Sequence, residues 1–99
     1  MKLLHNIYQV GGPGLTHFFD ATVYLLKGTQ GWFLIDCGTP EGYGQIKANI
    51  RKAGADPADI RWILGTHGHY DHVGAAHLWK EEFGCRLFLH EKDVGQVET

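Results

Sequence analysis

Hydrophobic and polar positions form short blocks along the chain, separated by turn-forming residues. β-Branched and aromatic residues dominate 21–27 and 32–36, with glycines at 28 and 31 between them. Strand-forming segments on either side of a glycine-bearing turn predict a β-hairpin. A shorter segment, 7–10, precedes the glycine-rich loop 11–14 and predicts an additional strand before the hairpin.

The next part of the chain has helical spacing. Ile46 and Ile50 lie four positions apart within 42–53, and Gly54 follows as a stop signal, so a helix is predicted there. Asp56 followed by Pro57 is typical of a helix cap and first helical position, which predicts one further helical turn.

The remaining segments predict a strand at 61–64, a helix at 72–83, a strand at 85–90 and the start of another helix at 91–99. Strands that alternate with helices predict an α+β fold, with one mixed β-sheet and helices on one face. In such sheets, ligands bind outside the carboxyl ends of the strands. A histidine-rich segment directly follows the strand at 61–64, and we therefore expect a site there.

Composition and charge exclude several classes of protein. The chain has 99 residues, 43% hydrophobic and 20% charged, which is ordinary for one folded domain. A net charge of −2 without runs of like charge predicts no nucleic-acid and no membrane partner. No segment resembles a signal peptide or membrane span, so we expect a cytoplasmic protein. Cys37 and Cys85 are expected as reduced thiols, although a single bridge stays open.

Seven histidines and fourteen glycines are the unusual counts in the composition, and three of the histidines fall in one short segment. Residues 66–74 read Thr-His-Gly-His-Tyr-Asp-His-Val-Gly. At this chain's own His and Asp frequencies, the pattern arises by chance in about two sequences per thousand. Side chains two apart in an extended segment share one side. We therefore predict that a metal ion is bound by His67, His69, Asp71 and His72.

The donor set indicates which metal is expected. Imidazole nitrogens with a carboxylate oxygen suit zinc first, with iron or manganese possible. A site without cysteine more often keeps a position open for water, whose pKa zinc lowers toward 7. The alternative is a polar loop without a metal. No role in the site is assigned to the other histidines, which are His5, His17, His77 and His90.

The 66–72 segment resembles the signature of the metallo-β-lactamase superfamily of metallohydrolases. The strand that ends in Asp36, the 58–64 segment and the 87–91 segment are also similar to parts of this family. The resemblance covers essentially the whole chain. It implies an αββα sandwich of two similar halves, of which residues 1–99 would form the N-terminal half.

The resemblance implies a two-metal site in the complete domain. His67 and His69 would bind the first metal, and Asp71 and His72 the second. Asp71 would also steer the attacking hydroxide, which makes it the candidate catalytic residue. The family's remaining ligands would lie beyond the matched region, so we expect residues 1–99 alone to hold one metal at most.

Three neighbouring residues receive supporting roles. By resemblance, Asp36 would accept a hydrogen bond that orients a ligand imidazole. An aspartate at a strand end that caps backbone amides is an equally open interpretation. Thr66 is expected to hydrogen-bond within the loop, and Tyr70 to serve in packing.

The activity that the resemblance implies is hydrolysis of a small-molecule substrate by water that zinc activates. The bond would be an ester, thioester, lactone or phosphodiester. The histidine directly after Asp71 makes the chain look closer to thioesterase, lactonase and phosphodiesterase relatives. Among these, the short hairpin and the 66–72 motif look most like hydroxyacylglutathione hydrolases. The alternative is a non-catalytic metal-binding half-domain that forms a homodimer through an exposed sheet face, since an uncovered apolar sheet face favours association.

Two histidine variants test the assignment of ligands. His69→Ala should abolish most of the metal affinity because it removes a ligand, whereas His90→Ala should leave the affinity nearly unchanged. Zinc titration by calorimetry measures both. Equal losses in the two variants would show that the ligands are misassigned.

Overall fold

The centre of the molecule is a single mixed β-sheet. The computed structural model describes residues 2–29 and 31–89; His90 and the helix expected at 91–99 lie outside these ranges. The strands β1 to β6 are Lys2–Leu4, Ile7–Gly11, Val23–Gly28, Gly31–Ile35, Ile60–Leu64 and Arg86–Phe88. The helices α1 to α3 are Tyr43–Lys52, Tyr70–Val73 and Ala76–Phe83, and short 3-10 helices span Pro40–Gly42 and Pro57–Asp59.

The strands lie in the sheet in chain order, β1 to β6. Strands β1 to β4 pair antiparallel, and β4, β5 and β6 pair parallel. The predicted hairpin is confirmed as β3–β4, with Gly28 opposite Gly31. Parallel neighbours need a crossover connection. Helix α1 lies in the first crossover, and α2 and α3 lie in the second. The predicted mixed sheet of an α+β fold is therefore confirmed.

Strand β1 is one element that the sequence pattern did not predict. It is three residues long and pairs with β2 after a tight turn. Asn6 in this turn has a φ of 70°, a left-handed conformation that asparagine tolerates better than most residues. So short a segment has no readable alternation, and its pairing with β2 decides its structure.

The prediction of one helix at 72–83 is wrong in one respect. The structure has two helices in this region, α2 and α3. Backbone groups that a continuous helix would use are bonded elsewhere. The Asp71 carbonyl accepts from the Ala21 amide, and the His72 carbonyl accepts from the amides of Cys37 and Gly38. The Ala75 amide donates to the Gly38 carbonyl rather than back into α2. These tertiary hydrogen bonds end α2 and let α3 begin in a new direction.

The hydrophobic core lies between the helices and one face of the sheet. Leu25, Leu34 and Ile63 occupy facing positions on three adjacent strands and are fully or almost fully buried. Ile50 of α1 and Trp79 of α3 belong to the same buried cluster. Removing a large core side chain of this kind typically costs ~2–5 kcal/mol, so substitutions in this layer should strongly destabilise the fold.

The opposite face of the sheet is apolar and carries no helix among the described residues. Phe33 and Trp62 lie side by side in one register row. Ile35, Leu64 and Phe88 form the next row. Leu64 is 40% exposed and Phe88 is 49% exposed. Within 2–29 and 31–89, no helix is long and apolar enough to cross a membrane.

A buried carboxylate joins the 12–20 loop to the turn before α1. Asp20 Oδ1 accepts from the amide of Thr39 at 2.7 Å and from its hydroxyl at 2.6 Å. Asp20 Oδ2 accepts from the Thr16 hydroxyl and from the His17 amide. Burial by itself raises the pKa of Asp20, but these hydrogen bonds outweigh it and leave the pKa below its ordinary value.

Two glycine substitutions test this carboxylate as a structural anchor. A Cβ on Gly42 would lie 1.9 Å from Asp20 Oδ2, although the backbone φ of −92° suits alanine. Gly42→Ala should therefore displace the carboxylate and lower the free energy of unfolding by ~1–3 kcal/mol. Urea unfolding measures the change.

The matched control is Gly44→Ala in the first turn of α1. Nothing lies within 4 Å of a Cβ at Gly44. Alanine there should stabilise the fold by ~0.5–1 kcal/mol, because glycine loses more entropy in a helix. Similar changes in both variants would contradict the anchor role of Asp20.

Candidate metal centre

The histidine-rich segment begins where two parallel strands end together. Ile35 of β4 lies opposite Leu64 of β5, and the Asp36 amide donates to the Leu64 carbonyl at 2.8 Å. Asp36 and Thr66 therefore lie next to each other beyond the carboxyl ends of these strands. This is the sheet edge at which the sequence predicted a site.

The Asp36 carboxylate organises this edge. It is 3% exposed, and its backbone has a φ of 61°. Oδ1 accepts from the Thr66 amide at 2.8 Å, and Oδ2 accepts from the Thr66 hydroxyl at 2.7 Å. Oδ2 also lies 2.9 Å from Nδ1 of His72. The sequence left two interpretations of Asp36 open, a cap for backbone amides and a partner for an imidazole. Asp36 makes both contacts, with the Thr66 amide and with the His72 ring.

His72 is held in one orientation by its side chain and its backbone. A carboxylate only accepts hydrogen bonds, so the Nδ1 that faces Asp36 carries the proton. In the neutral imidazole this tautomer makes Nε2 the acceptor nitrogen, and Nε2 lies 3.7 Å from Oδ2 of Asp71. The His72 carbonyl accepts from two amides of the 37–38 turn. Nε2 of His72 and the Asp71 carboxylate are therefore presented side by side.

The other two histidines lie beside His72 at the surface. The ring centroids of His67 and His69 are 5.8 Å apart and the planes nearly parallel, at 15°. The His67 and His72 centroids are 4.8 Å apart. The structure thus brings three of the predicted ligands together, with Asp71 beside His72.

These donors suit a metal ion in chemistry, although they are not yet arranged around one point. In residues 2–29 and 31–89, no three His, Cys, Asp or Glu side chains form a ready-made metal-binding group. Three imidazoles and a carboxylate are nevertheless the ligands that zinc, iron and manganese accept. His67 and His69 are exposed, so their side chains have room to turn. The ligand roles stay a prediction.

Tyr70 differs from its expected role in packing. Its ring is 54% exposed, and its hydroxyl lies 2.7 and 2.8 Å from the two carboxylate oxygens of Glu41. This hydrogen bond holds the pKa of Glu41 below its ordinary value. No pattern in the sequence connects residues 41 and 70, because the contact depends on how the turn before α1 meets α2.

The cysteines are free, as expected, and both are buried. Cys85 Sγ donates to the Ile60 carbonyl at 2.9 Å, and burial raises the pKa of this thiol to about 11. Burial also raises the pKa of Cys37, which follows Asp36 in the chain. Burial therefore favours the protonated form of both thiols near neutral pH.

Comparison with known proteins identifies the family. Residues 18–98 match the sequence profile of the metallo-β-lactamase superfamily. The chain belongs to this superfamily. Membership indicates a metal-dependent hydrolase and confirms the resemblance carried by the 66–72 motif.

Relatives and solved structures agree with this assignment. A probable metallo-hydrolase of Methanocaldococcus jannaschii is 30% identical over 93 residues, which are 94% of this chain and 42% of that protein. A hydroxyacylglutathione hydrolase of Anaeromyxobacter dehalogenans is 32% identical over 78% of this chain and 28% of its own length. The crystal structure of a metallo-β-lactamase of Elizabethkingia meningoseptica superposes with a TM-score of 0.82 at 35% identity, over 96% of this chain and 33% of that one.

The superfamily members that match are much longer than this chain. It spans 42% of the archaeal metallo-hydrolase and 33% of the crystallised lactamase. The similarity therefore assigns the fold and family of residues 18–98, while the activity of a whole protein is a matter for proposal.

Substitution of Asp36 tests whether its contact with His72 supports metal binding. Asp36→Asn keeps the shape and tolerates the left-handed backbone, but it removes the charge that holds Nδ1–H. We expect zinc affinity to fall about 10- to 100-fold, the usual effect of losing a partner that orients a ligand.

Calorimetric zinc titration measures this loss, and Asp56→Asn serves as the control. Asp56 Oδ1 only caps a 3-10 helix, by accepting from the Ala58 amide at 2.9 Å. Unchanged affinity in Asp36→Asn would show that the carboxylate serves the loop alone.

Proposed function

We propose that this chain carries the metal-binding part of a metal-dependent hydrolase. His67, His69, Asp71 and His72 would bind zinc, as one or two ions in the complete domain, with iron or manganese as alternatives. Residues 1–99 would be the N-terminal half of that domain. The single observation that supports this most is the hydrogen bond from His72 to the buried Asp36, which leaves Nε2 beside the Asp71 carboxylate.

In the proposed hydrolysis, the zinc ion, Asp36 with Thr66, and Asp71 would have separate roles. A bound zinc ion supplies a Lewis acid and lowers the pKa of water toward 7. Asp36 holds the His72 ring so that Nε2 faces the site, and Thr66 supports Asp36 with two hydrogen bonds. The Asp71 side chain is 50% exposed, so the carboxylate oxygen that does not bind zinc would orient an attacking water and accept its proton.

The substrate would be a small molecule with an ester, thioester, lactone or phosphodiester bond. The names of two relatives, a hydroxyacylglutathione hydrolase and a metallo-β-lactamase, add hydroxyacyl-glutathione thioesters and β-lactams to the candidates. A net charge of −2 supports the exclusion of nucleic acid, since binding to phosphates relies on Lys and Arg.

The apolar sheet face supports a second candidate function. It includes two half-exposed side chains, Leu64 and Phe88, on neighbouring strands. Two copies that pair through this face would form a non-catalytic metal-binding dimer. Such a protein would bind zinc and self-associate but hydrolyse none of the candidate bonds.

Hydrolysis assays on the zinc-loaded natural protein decide between these functions. We expect turnover of at least one candidate bond, loss of activity on removal of zinc by a chelator, and a fall in kcat of about 10²- to 10⁴-fold in Asp71→Asn. His77→Ala is the control, because this exposed histidine lies on α3, where its Nδ1 is 3.1 Å from the Gly74 carbonyl, and it has no role in the proposed site.

Two further measurements separate the outcomes. Metal content of Asp71→Asn shows whether the loss comes from catalysis or from binding, and sedimentation gives the state of association. An inactive, zinc-binding dimer would favour the second function. An inactive monomer that binds no zinc would overturn both.

A further inference from the structure

The 12–20 loop exposes a cluster of aromatic rings, which we call the His17–Phe19 cluster. Phe18 is 70% exposed and Phe19 is 53% exposed. Their ring centroids lie 4.2 Å apart, and the His17 ring stacks on Phe18 at 4.7 Å. Two adjacent, mostly exposed phenylalanines that touch each other form an apolar patch, and such patches commonly mark binding sites.

The exposure does not come from a loose loop. The Phe19 amide donates to His17 Nδ1 at 3.2 Å, and the Asp20 amide donates to the His17 carbonyl at 2.9 Å. The His17 amide donates in turn to the buried Asp20 carboxylate, which Thr39 also holds. The backbone of the cluster is therefore anchored on both sides while its two phenyl rings face solvent.

The cluster lies at the edge of the sheet that carries the candidate metal centre. Strand β3 runs antiparallel to β4, and Tyr24 at its start faces Ile35 at the end of β4. The Ala21 amide donates to the Asp71 carbonyl at 2.9 Å. Two residues of extended chain span at most about 7 Å, so the Cα atom of Phe19 lies within that distance of the Cα atom of Ala21.

The charges around the cluster restrict what it can bind. Glu41 lies near His17 and holds the Tyr70 hydroxyl, and Asp71 lies across from Ala21. The Glu41 carboxylate therefore disfavours an anionic group at the rings themselves. The surface of the cluster itself is aromatic and apolar, which favours an uncharged hydrocarbon chain or ring.

We propose that Phe18 and Phe19 bind an apolar acyl or aryl arm of the substrate while the scissile bond lies at Asp71. This inference rests on the proposed hydrolase function. It narrows the substrate to molecules with a hydrophobic arm on one side of the reacting carbonyl. Phe18 and Phe19 then determine specificity, and His17 supports them by stacking.

Matched substrates and variants test the inference in the natural, zinc-loaded protein. The probes are acetyl and octanoyl thioesters of one thiol, with acetamide and octanamide as ligands that need no turnover. Phe18→Ala and Phe19→Ala should each lower kcat/KM for the octanoyl thioester about tenfold, mainly through KM. The acetyl thioester should be affected less than twofold.

Binding provides a readout that is independent of activity. Nuclear magnetic resonance titration should show octanamide shifting the Phe18 and Phe19 ring signals, with affinity about tenfold lower in each alanine variant. Acetamide should shift neither ring. Leu3→Ala is the control, since Leu3 is also a partly exposed apolar residue (43%) but lies on β1, an outermost strand of the sheet.

The outcomes separate this inference from the proposed function. Octanamide binding that depends on the phenylalanines, in a protein without hydrolysis, would support the apolar site and refute the hydrolase. Zinc-dependent hydrolysis with unchanged chain-length preference in both variants would refute the apolar site alone. An equal loss of kcat/KM for both thioesters, together with a lowered melting temperature, would show that the cluster packs against another part of the protein. That result would also overturn the inference of an apolar substrate site.

Discussion

The buried Asp36 carboxylate is the constraint on which the candidate centre depends. It accepts hydrogen bonds from Thr66 and His72, which lie 30 and 36 positions later in the chain. A buried carboxylate is costly unless hydrogen bonds surround it. The end of β4, the start of the histidine-rich segment and helix α2 therefore have to meet at one point, and His72 receives its orientation from that requirement.

A second buried carboxylate, Asp20, holds loops in place by hydrogen bonds, as Asp36 holds the candidate ligand His72. It joins the 12–20 loop to the turn before α1 through Thr39. The same loop leads to Ala21, whose amide caps the Asp71 carbonyl. The two carboxylates together place an anchored aromatic surface beside an anchored imidazole. This arrangement links the stability of the sheet edge to the chemistry proposed for it.

Local sequence patterns were sufficient to predict those elements that depend only on neighbouring residues. The β3–β4 hairpin, helix α1 and the Asp56 cap each depend on residues within one turn or one strand pair, and all appear in the structure. Strand β1 and the division between α2 and α3 depend on partners far away in the chain. The Tyr70–Glu41 contact is of the same kind, since 29 positions separate the two residues. No periodicity within one segment records such pairings.

The sequence by itself determined the donor types of the candidate centre, the family and the order of those elements that have a local signal. A spacing of His, His, Asp and His in six positions is a chemical pattern that needs no fold to be recognised. Only the tertiary structure decided that Asp36 meets His72, that α2 stops where it does, and that Phe18 and Phe19 remain exposed at the same sheet edge. The physical reason is that buried polar groups must find partners, and in this protein several of those partners lie far along the chain.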